Sequence, residues 1–80
     1  MEDLLEYLAR SLVDQPEDVS VDSFEEDDGT VVLELSVADD EAGKVIGKGG
    51  RTIAALRTVV KASAVRENKR VLVDVIDGGD

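Results

Sequence analysis

Val45-Ile46-Gly47-Lys48-Gly49-Gly50-Arg51-Thr52-Ile53 is the stretch on which the reading of this 80-residue chain turns. Three glycines in four positions are a costly way to join two ordinary elements, because glycine loses the most backbone freedom on folding. Where glycine caps a helix, one normally suffices. The cluster fits a site where backbone must come close to another molecule. Helical pattern resumes at Arg51, so the loop opens into a helix N-terminus with unpaired N–H groups and the positive end of the dipole. Lys48 and Arg51 add charge at the same point. Together these features suit a sugar-phosphate backbone. The flanking Val45, Ile46 and Ile53 are expected to border a shallow groove for bases, with Lys44 as a further phosphate contact. The bland alternative is a helix–helix connector with glycine caps.

Two other glycine signatures fail. A P-loop needs G-x-x-x-x-G-K-[ST], but Gly43 and Gly47 are one residue too close and Gly49 follows Lys48. The dinucleotide fingerprint follows a strand within a βαβ unit, whereas these glycines follow a helical pattern.

Outward from the loop, periodicity lays out six elements. Leu4, Leu5, Leu8, Ala9, Leu12 and Val13 make a helical stripe, with Pro16 expected to end that helix. Val19, Val21 and Ser23 alternate weakly, and Val31, Leu33, Leu35 and Val37 alternate cleanly, as two strands. Between them Glu25-Glu26-Asp27-Asp28-Gly29 reads as an acidic, solvated hairpin tip. Asp39, Asp40 and Glu41 place acids at the start of a short helix, about Asp40 to Ile46. A longer helix runs from Arg51 to about Glu67, burying Ile53, Leu56, Val60 and Ala64. Asn68 stops it, and a last strand covers Arg70 to Ile76, with Gly78-Gly79-Asp80 as a frayed tail. The order is α-β-β-α-α-β: an α+β fold, one domain over residues 1–77.

Composition narrows the function. Hydrophobic residues are 42% of the chain, and cysteine and histidine are absent. Thiolate metal sites, disulfides and the commonest general base are thereby excluded. The acid pairs Asp27-Asp28 and Asp39-Asp40 make no nucleophile–base constellation, so the chain reads as a non-enzyme without a cofactor. No apolar run approaches the ~20 residues of a membrane span. The acidic start, Met1-Glu2-Asp3, is unlike a signal peptide, and a soluble cytoplasmic protein is the expectation.

The net charge of −10 is unevenly spread. From Lys44 to Arg70 there are eight bases against one acid, a formal +7; the remainder has one base against eighteen acids, −17. Phosphate contacts respond to the local patch within a Debye length of ~8–10 Å. The basic segment can therefore meet RNA while the acidic body discourages promiscuous contact. Arg57, Lys61, Arg66, Lys69 and Arg70 either extend that contact or form a solvated face. An acidic hairpin beside the groove would oppose binding.

The chain resembles a KH module, whose G-x-x-G loop clamps about four nucleotides of backbone. Gly43-Lys44-Val45-Ile46-Gly47-Lys48-Gly49-Gly50-Arg51-Thr52-Ile53, the opening helix ending near Asp14-Gln15-Pro16, and Ala55-Leu56-Arg57-Thr58-Val59-Val60 look like the short bacterial KH proteins of the KhpA family. The resemblance implies a type II KH fold, a three-stranded sheet with three helices packed on one face. It implies Gly47, Lys48, Gly49 and Gly50 as a clamp on single-stranded RNA, with Lys44 and Arg51 flanking it. It further implies an RNA-chaperone or post-transcriptional role, a homodimer and a second KH-containing partner, KhpB, the pair being linked in some bacteria to cell elongation and envelope control.

A rival reading starts from the −17 remainder and the two lone aromatics, Tyr7 and Phe24. Ala55, Val59 and Ala62 fall on a side of the long helix away from its core face, where small residues around a valine permit close packing across a two-fold axis. In that reading the scaffold chiefly dimerises or docks a protein partner.

Overall fold

The computed structural model describes residues 1–77, and the expected tail at 78–80 lies outside the described residues. The elements are α1 (Glu2–Arg10), β1 (Ser20–Glu25), β2 (Val31–Val37), α2 (Ala42–Ile46), α3 (Arg51–Arg66) and β3 (Val71–Asp77), with short 3-10 turns at Pro16–Asp18, Asp39–Glu41 and Lys48–Gly50. The α-β-β-α-α-β order is the one expected.

The sheet runs β1-β2-β3, antiparallel between β1 and β2 and parallel between β2 and β3. The parallel pair follows from the connection, since α2, the glycine loop and α3 carry the chain back before β3 begins. β2 is central, and its clean alternation has the expected meaning: Val31, Leu33, Leu35 and Val37 enter the core. There they meet Leu5 and Ala9 of α1, Val45 of α2, and Ile53, Leu56, Val60 and Ala64 of α3. Val71 and Val73 close the core from β3. All three helices thus bury their apolar sides on one face of the sheet.

The ends of α3 are defined by chemistry. Asn68 adopts φ 59°. The Lys69 amide donates to the Ala64 carbonyl at 2.8 Å and the Asn68 amide to Val65 at 3.0 Å. This is a Schellman closure with asparagine in the left-handed position usually held by glycine.

The first helix ends earlier than expected. α1 stops at Arg10, six residues before Pro16. Proline is not the cause. The Leu12 amide turns back to Ala9 at 3.0 Å, and the amides of Asp14 and Gln15, which a longer helix would direct at its own carbonyls, both donate to the Glu41 carboxylate. A tertiary acceptor replaces the helical ones.

The hairpin turn closes through Glu26 N–H to the Thr30 carbonyl at 2.8 Å and Gly29 N–H to the Glu26 carbonyl at 2.9 Å. Gly29 takes φ 89°, the role expected of the Asp-Gly pair. Asp28 accepts the Thr30 amide at 2.9 Å. Bonding to Thr30, helped by Arg70, holds its carboxyl below the ordinary 3.8.

Candidate nucleic-acid interface

The glycine loop joins α2 to α3, and its glycines have different tasks. Gly47 sits at φ 77°, ψ 169°. A Cβ there would lie 2.7 Å from Thr52 Cβ and 2.9 Å from Thr52 N. Glycine is required at this position by the chain itself, because the loop is folded against the first turn of α3. Gly49 and Gly50 also have positive φ, 66° and 76°, but a Cβ on either would meet nothing within 4 Å. Their backbone is left-handed and faces open space. A ligand can approach there.

Gly50 is the N-cap of α3 and offers no side-chain oxygen to the first amides of the helix. Those donors and the dipole end stand beside the exposed side chains of Lys48 and Arg51. Main-chain donors, a positive dipole end and two cations meet at the start of α3.

Lys44 is placed differently from the other expected contacts. Its ammonium bonds Asp14 at 2.5 Å and Glu41 at 3.2 Å, which raises its pKa above the ordinary 10.5, Asp14 contributing most. Its charge is largely engaged within the protein. Sequence reasoning missed Glu41, which it treated as one of three acids favouring a helix start. The side chain is 2% exposed. Burial pushes its carboxyl up, but the Asp14 and Gln15 amides and the Lys44 ammonium outweigh that and hold it below the ordinary 4.5. Glu41 ties the α1–β1 connection to the root of α2, directly ahead of the glycine loop. Nothing in local pattern distinguishes it from Asp39 and Asp40.

Two expected groove residues are corrected. Val45 is wholly buried and Ile53 is 6% exposed, so both belong to the core beneath the loop and offer almost no surface to a base. Alternation around α2 and α3 turns them inward. Ile46, 37% exposed, is the apolar surface beside the loop.

From the loop, α3 runs about 24 Å at 1.5 Å per residue. Arg57 Nε donates to the Val73 carbonyl at 3.1 Å. Val31 N–H bonds to the Arg70 carbonyl, so even-numbered residues of β3 pair with β2 and odd-numbered ones present their backbone to the free edge. The α3–β3 seam ends in an open cleft lined by Lys61, Val65, Lys69, Arg70 and Leu72. The acidic hairpin borders this end of α3, where Glu25 and Asp28 share a depression with Lys69 and Arg70. It is a helix length from the glycine loop.

Comparison with known proteins then places the chain. A family model described as the KH domain of KhpA/KhpB matches residues 2–75. The chain belongs to this family. Curated relatives named RNA-binding protein KhpA include those of Clostridium perfringens, 51% identical over 95% of this chain and 100% of the relative, and Clostridium acetobutylicum, 53% identical over the same shares. That of Halalkalibacterium halodurans is 53% identical over 96% of this chain and 100% of its own length. Among solved structures, a crystal structure of Era in complex with MgGDPNP and nucleotides 1506-1542 of 16S ribosomal RNA superposes with a TM-score of 0.65. It is 14% identical, covering 92% of this chain and 28% of that one. The family match runs from α1 into β3, the glycine loop at the α2–α3 junction included.

Proposed function

We propose that this protein is a small, non-catalytic RNA-binding protein of the cytoplasm, acting as an RNA chaperone or post-transcriptional regulator. It grips single-stranded RNA backbone with Gly47-Lys48-Gly49-Gly50. The observation that carries the reading is the opposite fate of the glycines. Gly47 is held against Thr52, while Gly49 and Gly50 present left-handed backbone to open space at an uncapped helix N-terminus. Curated relatives of matching length are named RNA-binding proteins.

Phosphates seat on the loop amides, Lys48 and Arg51. The strand continues past Ile46 and along the α3–β3 seam toward Lys61, Lys69 and Arg70. Lys44 and Glu41 brace the loop's root, and Val45 and Ile53 support it from within. With few phosphates engaged, affinity is modest and salt-sensitive.

The test is fluorescence anisotropy of labelled single-stranded RNA with wild type and Lys48→Asp/Gly49→Asp at two salt concentrations. Aspartate tolerates the left-handed conformation better than most residues, and circular dichroism checks the fold. Binding by wild type alone, weakened by salt, supports the clamp; equal binding by both proteins refutes it.

A second role, assembly through α3, has its own observation. Ala55, Val59 and Ala62 are all exposed, and Val59 is 45% exposed. This stripe is the contact for a homodimer, or for a second KH-containing protein of the KhpB type. Pairing two loops would raise avidity through effective concentration. Sedimentation of Val59→Asp tests it, since an unchanged dimer would rule out this interface.

A further inference from the structure

The helices cover one face of the sheet, and the opposite face has a composition that the RNA reading does not use. Strand register arranges it in three cross-strand rows: Phe24–Val32–Leu72, then Asp22–Glu34–Asp74, then Ser20–Ser36–Ile76. The first row is apolar. Phe24 and Leu72 are 47% and 46% exposed and flank Val32, which is 5% exposed although it lies outside the core cluster.

The second row sets three carboxylates side by side, at cross-strand distances where like charges destabilise a sheet. No lysine or arginine occurs in any of the three strands. The ion pairs found among the described residues engage Glu67, Glu6, Asp14 and Glu41, none of them in this row. An apolar strip beside an uncompensated acidic strip is a poor solvent-facing surface and a good complementary one.

We propose that this face docks a basic amphipathic helix of a partner protein, whose apolar side chains cover the exposed Phe24 and Leu72 on either side of the buried Val32 while its lysines or arginines meet Asp22, Glu34 and Asp74. Charge decides the occupant. RNA is repelled by the carboxylate row. A second copy placed face to face would oppose one carboxylate row with another. Because the glycine loop lies at the α2–α3 junction and this face is across the sheet from the helices, RNA held at the loop leaves the face free; Leu72, which also lines the cleft at the far end of α3, is the residue the two ligands share. The domain then links RNA to a basic protein. This proposal stands independently of the RNA reading.

The probe is a fluorescent leucine/lysine amphipathic peptide of about four helical turns, long enough to be helical when bound. It is titrated at physiological salt into wild type, Phe24→Ser, Asp22→Asn/Glu34→Gln, and the hairpin control Glu26→Gln/Asp27→Asn, which removes the same charge. Nitrogen-15 NMR maps the contact. The expected result is shifts centred on Phe24, Val32, Glu34 and Leu72 and about tenfold weaker binding for each sheet variant, equivalent to ~1.4 kcal/mol. The control changes less than about twofold, and RNA affinity is unaltered by Phe24→Ser. Equal weakening by the hairpin control would show general attraction to an acidic protein and overturn the proposal. So would shifts on the helical side, or loss of self-association in Phe24→Ser, which would make a second copy the occupant.

Discussion

The carboxylate of Glu41 accepts the backbone amide of Gln15 at 2.8 Å across 26 residues of sequence. With the Asp14 amide and the Lys44 ammonium on the same group, this contact ends α1, shapes the α1–β1 connection and anchors α2 where the glycine loop begins. Glutamine cannot reproduce it, since its amide nitrogen would face donors. Glu41→Gln is therefore expected to lower the thermal midpoint more than neutralising the exposed Asp27, as measured by circular dichroism.

The same group predicts a pH dependence. The pKa values of Glu41 and Asp28 lie below their ordinary 4.5 and 3.8 in the folded state. Their contribution is present above those ordinary values and is lost as pH falls through the lower folded ones. Stability should decline below about pH 4.5, less steeply in Glu41→Gln. Lys44 is shifted upward, so its contribution is complete below 10.5 and is lost only as pH rises through the higher folded value. Urea midpoints across pH check both limbs.

The glycines should separate cleanly. Gly47→Ala places a Cβ against Thr52 backbone and side chain, and Thr52→Ala does not rescue it because Thr52 N and Cβ remain. Gly49→Ala meets no atom and carries only the left-handed cost, about 1–2 kcal/mol. Gly43, within α2 and free of neighbours at its Cβ position, should gain roughly 0.5–1 kcal/mol as alanine. Denaturant unfolding of the three variants gives the order.

Two lysines four residues apart should behave oppositely. Lys48→Ala removes an exposed cation from the loop and should lower the slope of log affinity against log salt by about 0.7, the value for one single-strand phosphate contact, with little change in stability. Lys44→Ala breaks the bridges to Asp14 and Glu41. It should lower the thermal midpoint and leave the salt slope nearly unchanged.

The acidic hairpin should be neutral toward RNA held at the loop. It borders the far end of α3, about 24 Å away, more than twice the Debye length of ~8–10 Å. Glu26→Gln/Asp27→Asn should alter affinity for a short RNA by less than about twofold at physiological salt. A longer RNA strand that reaches Lys69 and Arg70, which share a depression with Glu25 and Asp28, should gain affinity in this variant; a large gain for the short RNA would show that it is not held at the loop.

Element order, the alternation of β2, the buried face of α3 and the stop at Asn68 were legible in the sequence because each depends on local periodicity or on one residue's backbone preference. The glycine cluster was legible for the same reason, since three glycines in four positions depart from every local expectation. The tertiary structure alone decided which acid in Asp39-Asp40-Glu41 is buried, that Lys44 is held by Asp14 and Glu41, and that α1 ends at Arg10 instead of near Pro16. It decided that Val45 and Ile53 support the loop from inside, and that Asp22, Glu34 and Asp74 stand in one row. Most of these partners lie 12 to 40 residues apart and meet only when strands are in register and helices are packed, and a pattern read along the chain carries no record of which distant residues those contacts bring together.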